Sequence, residues 1–139
     1  MKKQICTLLV LIMSIGFISC SGSRSLSKEE SRVQGSWILI EEGGYPVDRK
    51  QLKHYTQKNF VWHTMNDSGI ITLAGAGEYR LNGNQLYEEI DMTMYNNSDF
   101  KGRTAKIEIA INKDTMIQNT IIQMQNRENI FTEKWVRVK

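Results

Sequence analysis

The sequence predicts an all-β protein, an eight-stranded antiparallel up-and-down barrel with a short helix or lid loop after the first strand. Runs with period-two character predict strands at 33–42, 59–65, 70–74, 78–81, 85–95, 104–112, 116–124 and 129–138. Turn-forming residues separate these runs, and Asn82-Gly83 is a strong signal for a tight hairpin. About eight strands suit a barrel whose interior fills with side chains or holds one small ligand.

Residues 1–19 have the composition of a signal peptide. A short basic head precedes an apolar run that is shorter than the roughly 20 residues needed to span a membrane. The run ends in Ser19-Cys20, which resembles the lipobox of bacterial lipoproteins, where cleavage before the cysteine frees a thiol for a diacylglycerol. Phe17 departs from that pattern, which prefers leucine. We therefore expect a lipidated Cys20, with an ordinary secretory signal and an incidental cysteine as the alternative.

After removal of the predicted signal peptide, the chain has one cysteine and a net charge close to zero. Cys6 leaves with the signal peptide, so Cys20 stays alone and cannot form an internal disulfide. Loss of Lys2 and Lys3 takes the basic residues from 18 to 16 against 15 acids, a net charge near +1. Nucleic acid is not an expected partner, because phosphate binding needs a concentrated basic footprint.

Residues 20–32 are predicted to be the lipidated cysteine and a flexible tether. The segment is serine-rich and charged, and Leu26 is its one sizeable apolar residue before residue 33. No acidic run directly follows Cys20, and such runs resemble surface-export signals in some Gram-negative lipoproteins. The expected location is the cell envelope, on the outer membrane and facing the periplasm.

The alternation is lost after the opening strand. Residues 47–57 carry Asp48 as a possible helix cap and place Leu52 and Tyr55 three apart on one possible helical face. A short helix or ordered loop across one barrel mouth is expected. A surface loop without a role is the alternative.

Four short motifs carry a family resemblance. They are Gly35-Ser36-Trp37, Gly77-Glu78-Tyr79, Tyr87-Glu88-Glu89 and Glu133-Lys134-Trp135-Val136-Arg137. Together they resemble the lipocalin-like domains of small Gram-negative lipoproteins, most of them of unknown function, over a domain at 33–139. The resemblance implies a barrel closure by Gly35, Trp37 and Arg137, in which a cation–π contact contributes roughly 0.5 to 2 kcal/mol. It implies little about activity, because one scaffold hosts many binding roles.

One set of side chains is predicted to face the lumen and to bind a ligand. The set is Phe60, Trp62, Tyr79, Tyr87, Glu89, Phe131, Glu133 and Trp135. Bulky aromatics alternate there with single carboxylates, and a mostly apolar cavity with a few polar groups is typical of a ligand site.

Two alternatives stay open for this set. A one-residue slip in register exchanges the two faces of a strand, and on 85–95 it would turn Leu86, Ile90 and Met92 inward. The aromatics can also simply fill the core, with the buried carboxylates paired to an arginine or a tyrosine hydroxyl.

Catalytic chemistry has little support in the sequence. His54 and His63 occur in no nucleophile or metal-ligand spacing. The glycines of 75–77 lie between predicted strands and do not open a helix, as a phosphate loop requires. We expect no enzyme activity, no metal and no cofactor.

The expected function is binding of a small, partly apolar ligand in the lumen of a monomeric, lipid-anchored protein. The alternative is a non-enzymatic envelope protein with a side-chain-filled barrel, which acts through its loops or outer face. Both follow from the predicted barrel and its lipid anchor.

Lipidation is tested with Cys20→Ala. Because the thiol accepts the lipid, metabolic labelling with a palmitate analogue should mark the parent and leave the variant unlabelled. Equal labelling of the two would contradict the predicted anchor.

Overall fold

The computed structural model describes residues 28–95 and 99–139. Its elements are α1 (Lys28–Val33), β1 (Gly35–Glu42), β2 (Tyr45–Pro46), β3 (Lys50–Tyr55), β4 (Asn59–Met65), β5 (Ile71–Asn82), β6 (Gln85–Thr93), β7 (Arg103–Asn112), β8 (Thr115–Met124) and β9 (Arg127–Arg137). The predicted signal peptide, Cys20 and most of the predicted tether lie outside the described residues. No helix within the described ranges is long and apolar enough to cross a membrane.

Eight of the strands close into an antiparallel barrel. From β3 to β9 each strand pairs with the next in sequence, and β1 pairs with both β3 and β9. The two-residue β2 is an extra strand that pairs only with the end of β1. Closure removes the exposed edges that an open sheet would leave. The predicted all-β, eight-stranded antiparallel up-and-down barrel is confirmed.

The eight observed strands differ from the eight predicted runs in two places. β3 lies inside 47–57, where a helix or lid loop was expected, and β5 joins the runs 70–74 and 78–81. The connection after β1 is a loop that contains β2, and the helix precedes β1, within the last residues of the predicted tether. The predicted number of eight barrel strands is right because two errors cancel. β3 was not predicted as a strand, and β5 was predicted as two strands.

The sequence did not predict β3 as a strand because most of its inward-facing residues are polar. Gln51 and Lys53 line the interior and Tyr55 is buried, while Leu52 lies on the opposite face from Tyr55. A strand whose inward positions are polar has no hydrophobic alternation, and the spacing of its two apolar residues then resembles one face of a helix.

Gly75 and Gly77 lie within β5 and form no turn. A Cβ on Gly75 would lie 2.7 Å from the Trp62 indole nitrogen, and a Cβ on Gly77 would lie 1.7 Å from the Glu89 carbonyl oxygen. The pairing of β5 with β6 shifts register between Ala76 and Gly77. Glycine within a strand often marks a bulge or a close approach, and here it marks both.

The hairpin signal at Asn82-Gly83 does mark a tight turn. Asn82 pairs with Gln85, which leaves Gly83 and Asn84 as a two-residue loop between β5 and β6. Gly83 has a φ of 60°, a left-handed value that glycine adopts readily. The position of this turn therefore follows from the sequence.

Arg137 joins the helix to the barrel at the end where β1 begins. Its guanidinium carbon lies 4.1 Å from the centre of the Trp37 ring. It donates hydrogen bonds of 2.7 and 2.6 Å to the carbonyls of Arg32 and Gln34, and the Trp37 indole nitrogen donates one of 2.8 Å to the carbonyl of Val33. The last carbonyls of a helix have no partner within it, so these side chains satisfy groups that would otherwise need water.

Gly35 makes room for this closure. It has a φ of 117°, and a Cβ there would lie 2.6 Å from a guanidinium nitrogen of Arg137. The three residues expected at the closure, Gly35, Trp37 and Arg137, are in contact, and the short helix tied to them is a feature that the sequence did not predict.

The closure is tested with Arg137→Gln. The change removes the cation–π contact and the charged donors of the helix carbonyls, and should lower the free energy of unfolding by at least about 2 kcal/mol. Urea denaturation measures the loss. The control is Arg127→Gln, at an exposed position of the same strand, and equal midpoints for the two variants would refute the role of Arg137.

Candidate functional site

A cavity of about 400 Å³ occupies the barrel interior towards the end opposite α1. Its apolar wall consists of Trp62, Leu73, Ile90, Phe100, Ala105, Ile107, Ile122 and Phe131. Its charged residues are Glu42, Arg49, Lys53, Glu88 and Glu133. Ligand sites typically enclose about 300 to 1,000 Å³ and combine an apolar lining with a few placed polar groups. The cavity has the size and composition of a small-molecule site.

The mouth of the cavity is formed where β1 ends and β3 begins. An Arg49 guanidinium nitrogen lies 2.7 Å from a carboxylate oxygen of Glu42, and both side chains are partly exposed. The Arg49 Nε also donates a 3.0 Å hydrogen bond to the Gln51 side chain. The register of β1 against β9 shifts between Leu39 and Glu41, which turns Glu42 to the cavity side. The entrance therefore carries one neutralised pair of charges.

A buried polar cluster lies deeper, where side chains from three strands meet. The Lys53 ammonium is 3.3 Å from both carboxylate oxygens of Glu88 and 3.1 Å from the Gln118 side-chain oxygen. The Tyr55 hydroxyl donates to Glu88, and the Gln118 amide donates a 3.0 Å hydrogen bond to the Tyr55 oxygen. The side chains of Lys53 and Glu88 are only 7% and 4% exposed.

Each member of this cluster has its partner inside the barrel. A buried ion pair is tolerated when its charges are hydrogen-bonded, and removal of one partner typically costs about 3 to 5 kcal/mol. Burial, with the charge of Glu88 as a further cause, raises the pKa of Tyr55 well above its usual range. The phenol therefore stays protonated and donates to the carboxylate.

Trp135 links the cluster to a second carboxylate. The Lys53 ammonium lies 5.1 Å from the centre of the Trp135 ring, and the indole nitrogen donates a 3.2 Å hydrogen bond to Glu133. Glu133 lines the cavity and is 6% exposed. Burial raises the pKa of Glu133 above 4.5, the charge of Glu88 acts in the same direction, and the charge of Lys53 opposes them. Of the two buried carboxylates, Glu133 is the one without an ion pair within the described residues.

Thr120 adds a polar group without a partner. Its residue is 3% exposed and lines the cavity, and its hydroxyl has no hydrogen-bond partner among the described residues. In the pairing of β8 with β9, Gln118 lies opposite Glu133 and Thr120 lies opposite Phe131. Thr120 and Glu133 are therefore diagonal neighbours on one inner face.

Six of the eight predicted lumen residues are buried or partly buried inside the barrel: Phe60, Trp62, Tyr79, Phe131, Glu133 and Trp135. Three of these line the cavity, namely Trp62, Phe131 and Glu133. The others pack in the core nearer the closed end.

The inward placement of Tyr87 and Glu89 is wrong. Glu89 lies on the outer face, 3.7 Å from the guanidinium of Arg80, and Arg80 also stacks over the Tyr87 ring at 4.7 Å. The inner face of β6 carries Leu86, Glu88 and Ile90 instead. Two apolar residues gain more from burial than one tyrosine does, and Lys53 and Tyr55 supply the partners that the buried Glu88 needs.

Sequence reasoning missed most of the polar lumen. Lys53 and Tyr55 lay in a segment expected to form the lid, and Gln118 and Thr120 lie in a strand with apolar residues on both faces. For β6, the sequence analysis kept a one-residue shift in register as an alternative, and that alternative is the one that turns Glu88 inward. The available signal was the spacing of Leu86 and Ile90 around that carboxylate.

The two histidines lie on the outside of the barrel and stack on each other. The rings of His54 and His63 are 5.4 Å apart and 16° from parallel, and His54 Nδ1 is 2.8 Å from the Ser36 hydroxyl. Partial burial, followed by the charge of His54, lowers the pKa of His63. Within residues 28–95 and 99–139, no three side chains of the kinds that ligate metals come together.

Comparison with known families gives one match. A family model described as a domain of unknown function, DUF4488, matches residues 32–139. The match begins at the end of α1 and spans the whole barrel, including every residue of the cavity. Comparison with curated proteins finds no match.

The environment of Glu133 predicts a pH-dependent stability. A carboxyl whose pKa is raised in the folded protein contributes stability that is fully present below pH 4.5 and is lost as the pH rises through the raised pKa. Glu133→Gln is neutral at every pH, so its unfolding free energy relative to the parent should increase as the pH rises from 4.5 towards neutrality. Denaturant midpoints at a series of pH values measure this.

The matched control is Glu89→Gln, because Glu89 is half exposed on the outer face. Its difference from the parent should not change over that pH range in the way that Glu133→Gln does. Parallel pH profiles for Glu133→Gln and the parent would contradict the assignment.

Proposed function

The chain belongs to the DUF4488 family of unknown function, and we propose that it is a binding protein that holds a small, partly apolar ligand in the lumen of its barrel. The cavity of about 400 Å³ carries this proposal. A barrel of about eight strands can be filled by side chains alone, and this one leaves space between Trp62, Ile107 and Phe131.

We further propose that the protein is lipocalin-like and is anchored to a membrane by a lipid. The closed antiparallel barrel and the stacking of Arg137 on Trp37 support the lipocalin likeness. The apolar N-terminal run that ends in Ser19-Cys20 supports the anchor. On this basis the protein acts as a monomer in the cell envelope, on the outer membrane and facing the periplasm.

We propose a binding role and no catalysis. The ammonium, carboxylate, phenol and amide of Lys53, Glu88, Tyr55 and Gln118 bond to one another. A group that serves as a general base must reach a substrate proton. Because these four side chains bond to one another, they suit a fixed polar surface beneath a ligand and not proton transfer with a substrate.

An envelope interaction protein is the second candidate, and an exposed apolar surface favours it. The side chains of Ile70, Ile71, Met92, Met94 and Tyr95 are exposed beside the mouth of the barrel. The Tyr95 hydroxyl reaches the carbonyl of Thr72 at 3.4 Å, which brings the end of β6 next to the start of β5. Exposed apolar patches often mark contacts with another protein or a membrane.

Native mass spectrometry of the protein purified from its own host tests the lumen proposal. The parent should retain a small-molecule mass. Ala105→Phe should lose it, because Ala105 is buried and lines the cavity, so that a phenyl ring there occupies ligand space.

Ala110→Phe is the matched control, since Ala110 is exposed on the same strand. This variant should keep the small molecule. A consistently empty parent that co-purifies with another protein would refute lumen binding and support the interaction role.

A further inference from the structure

The charges that line the cavity do not balance. The lining holds two cations, Arg49 and Lys53, and three carboxylates, Glu42, Glu88 and Glu133. Arg49 pairs with Glu42 at 2.7 Å, and Lys53 pairs with Glu88 at 3.3 Å. Glu133 remains, with the neutral indole N–H of Trp135 as its hydrogen-bond donor. The described lining therefore carries one carboxylate more than it has cations.

A second, independent observation lies beside that carboxylate. The buried Thr120 hydroxyl has no hydrogen-bond partner among the described residues, and the strand register makes residue Thr120 a diagonal neighbour of Glu133. A hydroxyl buried in this way costs free energy that a ligand atom can recover by bonding to it. Two polar groups in the same wall therefore point to one missing partner.

An apolar surface surrounds these two groups. Thr120 lies directly between Ile107 of β7 and Phe131 of β9 in the sheet register, and Ile122 follows on the same inner face. All three apolar residues line the cavity. A ligand that reaches Glu133 and Thr120 must therefore lay a hydrocarbon part against them.

We propose that the lumen binds an amphipathic primary amine, with its ammonium on Glu133 and Thr120 and its hydrocarbon body against Ile107, Ile122 and Phe131. This assignment rests on the lumen-binding function proposed above. An ammonium has three donors and no acceptor, so it can bond to the carboxylate and to the hydroxyl oxygen at once. Its charge also offsets the surplus carboxylate.

Other ligand classes fit these groups less well. A carboxylate ligand would be repelled by Glu133, and the ammonium of Lys53 is already engaged by Glu88 and Gln118. A neutral alcohol can bond to the same oxygens but leaves the charge of Glu133 uncompensated. The amine is therefore preferred on both charge and hydrogen-bonding grounds.

Three probes with the same chain test the assignment: octylamine, octanol and octanoate, titrated into the purified full-length protein by isothermal calorimetry. Octylamine should bind at least about tenfold tighter than either of the others, the effect of one charge-assisted hydrogen bond. Glu133→Gln should remove this preference, and Glu89→Gln on the outer face should keep it.

Thr120→Val keeps the shape of the side chain and guards against an unstable Glu133 variant. It should weaken octylamine severalfold while the unfolding midpoint stays level or rises, because a buried polar group without a partner is removed. A purely structural role of Thr120 would leave octylamine affinity unchanged and would overturn its place in the site. Thr104→Val, exposed on β7, is the control.

The outcomes separate this inference from the proposed function. Equal affinities for the three probes, or a preference for octanoate, would overturn the amine assignment and leave lumen binding in place. No binding of any probe would overturn the amine assignment, and binding that persists unchanged in Ala105→Phe would overturn both.

Discussion

The buried pair of Lys53 and Glu88 is the constraint on which the arrangement of the lumen depends. Taking two charges out of water costs several kcal/mol per ion, and this is repaid only when geometry and hydrogen bonds are good. Tyr55 and Gln118 supply those bonds, so the pair holds β3, β6 and β8 in one register. A slip of one residue in β6 would turn Glu88 outward and leave Lys53 buried without its carboxylate. The polar cluster therefore decides which faces of β3, β6 and β8 line the cavity.

The two ends of the barrel differ in the contacts that border the interior. At one end Arg137 lies over Trp37 and bonds to carbonyls at the end of α1, so aromatic packing and helix capping close the interior. At the other end a partly exposed pair, Glu42 with Arg49, borders the cavity. Along one wall Gly75 leaves room for the Trp62 ring, which meets Phe100 edge-on at 5.9 Å. The cavity of about 400 Å³ thus lies towards the mouth, and the contact of Arg137 with Trp37 lies at the opposite end.

The same physics explains how far the sequence predicts this molecule. Turn residues and β-type runs are local signals, so the barrel and the Asn82-Gly83 hairpin were predicted correctly. The missed strand β3 and the inverted face of β6 both trace to Lys53 and Glu88, two charged residues that local rules place on the surface. Each is buried only because the other is, and they are 35 residues apart in the chain. Periodicity within one strand carries no information about such a partner.

Glu133 and Thr120 differ from that cluster in a way that bears on function. Lys53, Glu88, Tyr55 and Gln118 satisfy one another, so their burial is explained by the fold alone. Glu133 has one neutral donor, Thr120 has no partner among the described residues, and an apolar side chain at either position would be less costly to bury. Folding gains nothing from these two groups that it could not obtain from a leucine or a valine. Positions that bury a polar group without full hydrogen bonding, against the usual pattern of a protein core, are commonly functional sites. Because both groups lie on one wall of the same cavity, a ligand with a donor for each of them gives a reason for keeping both.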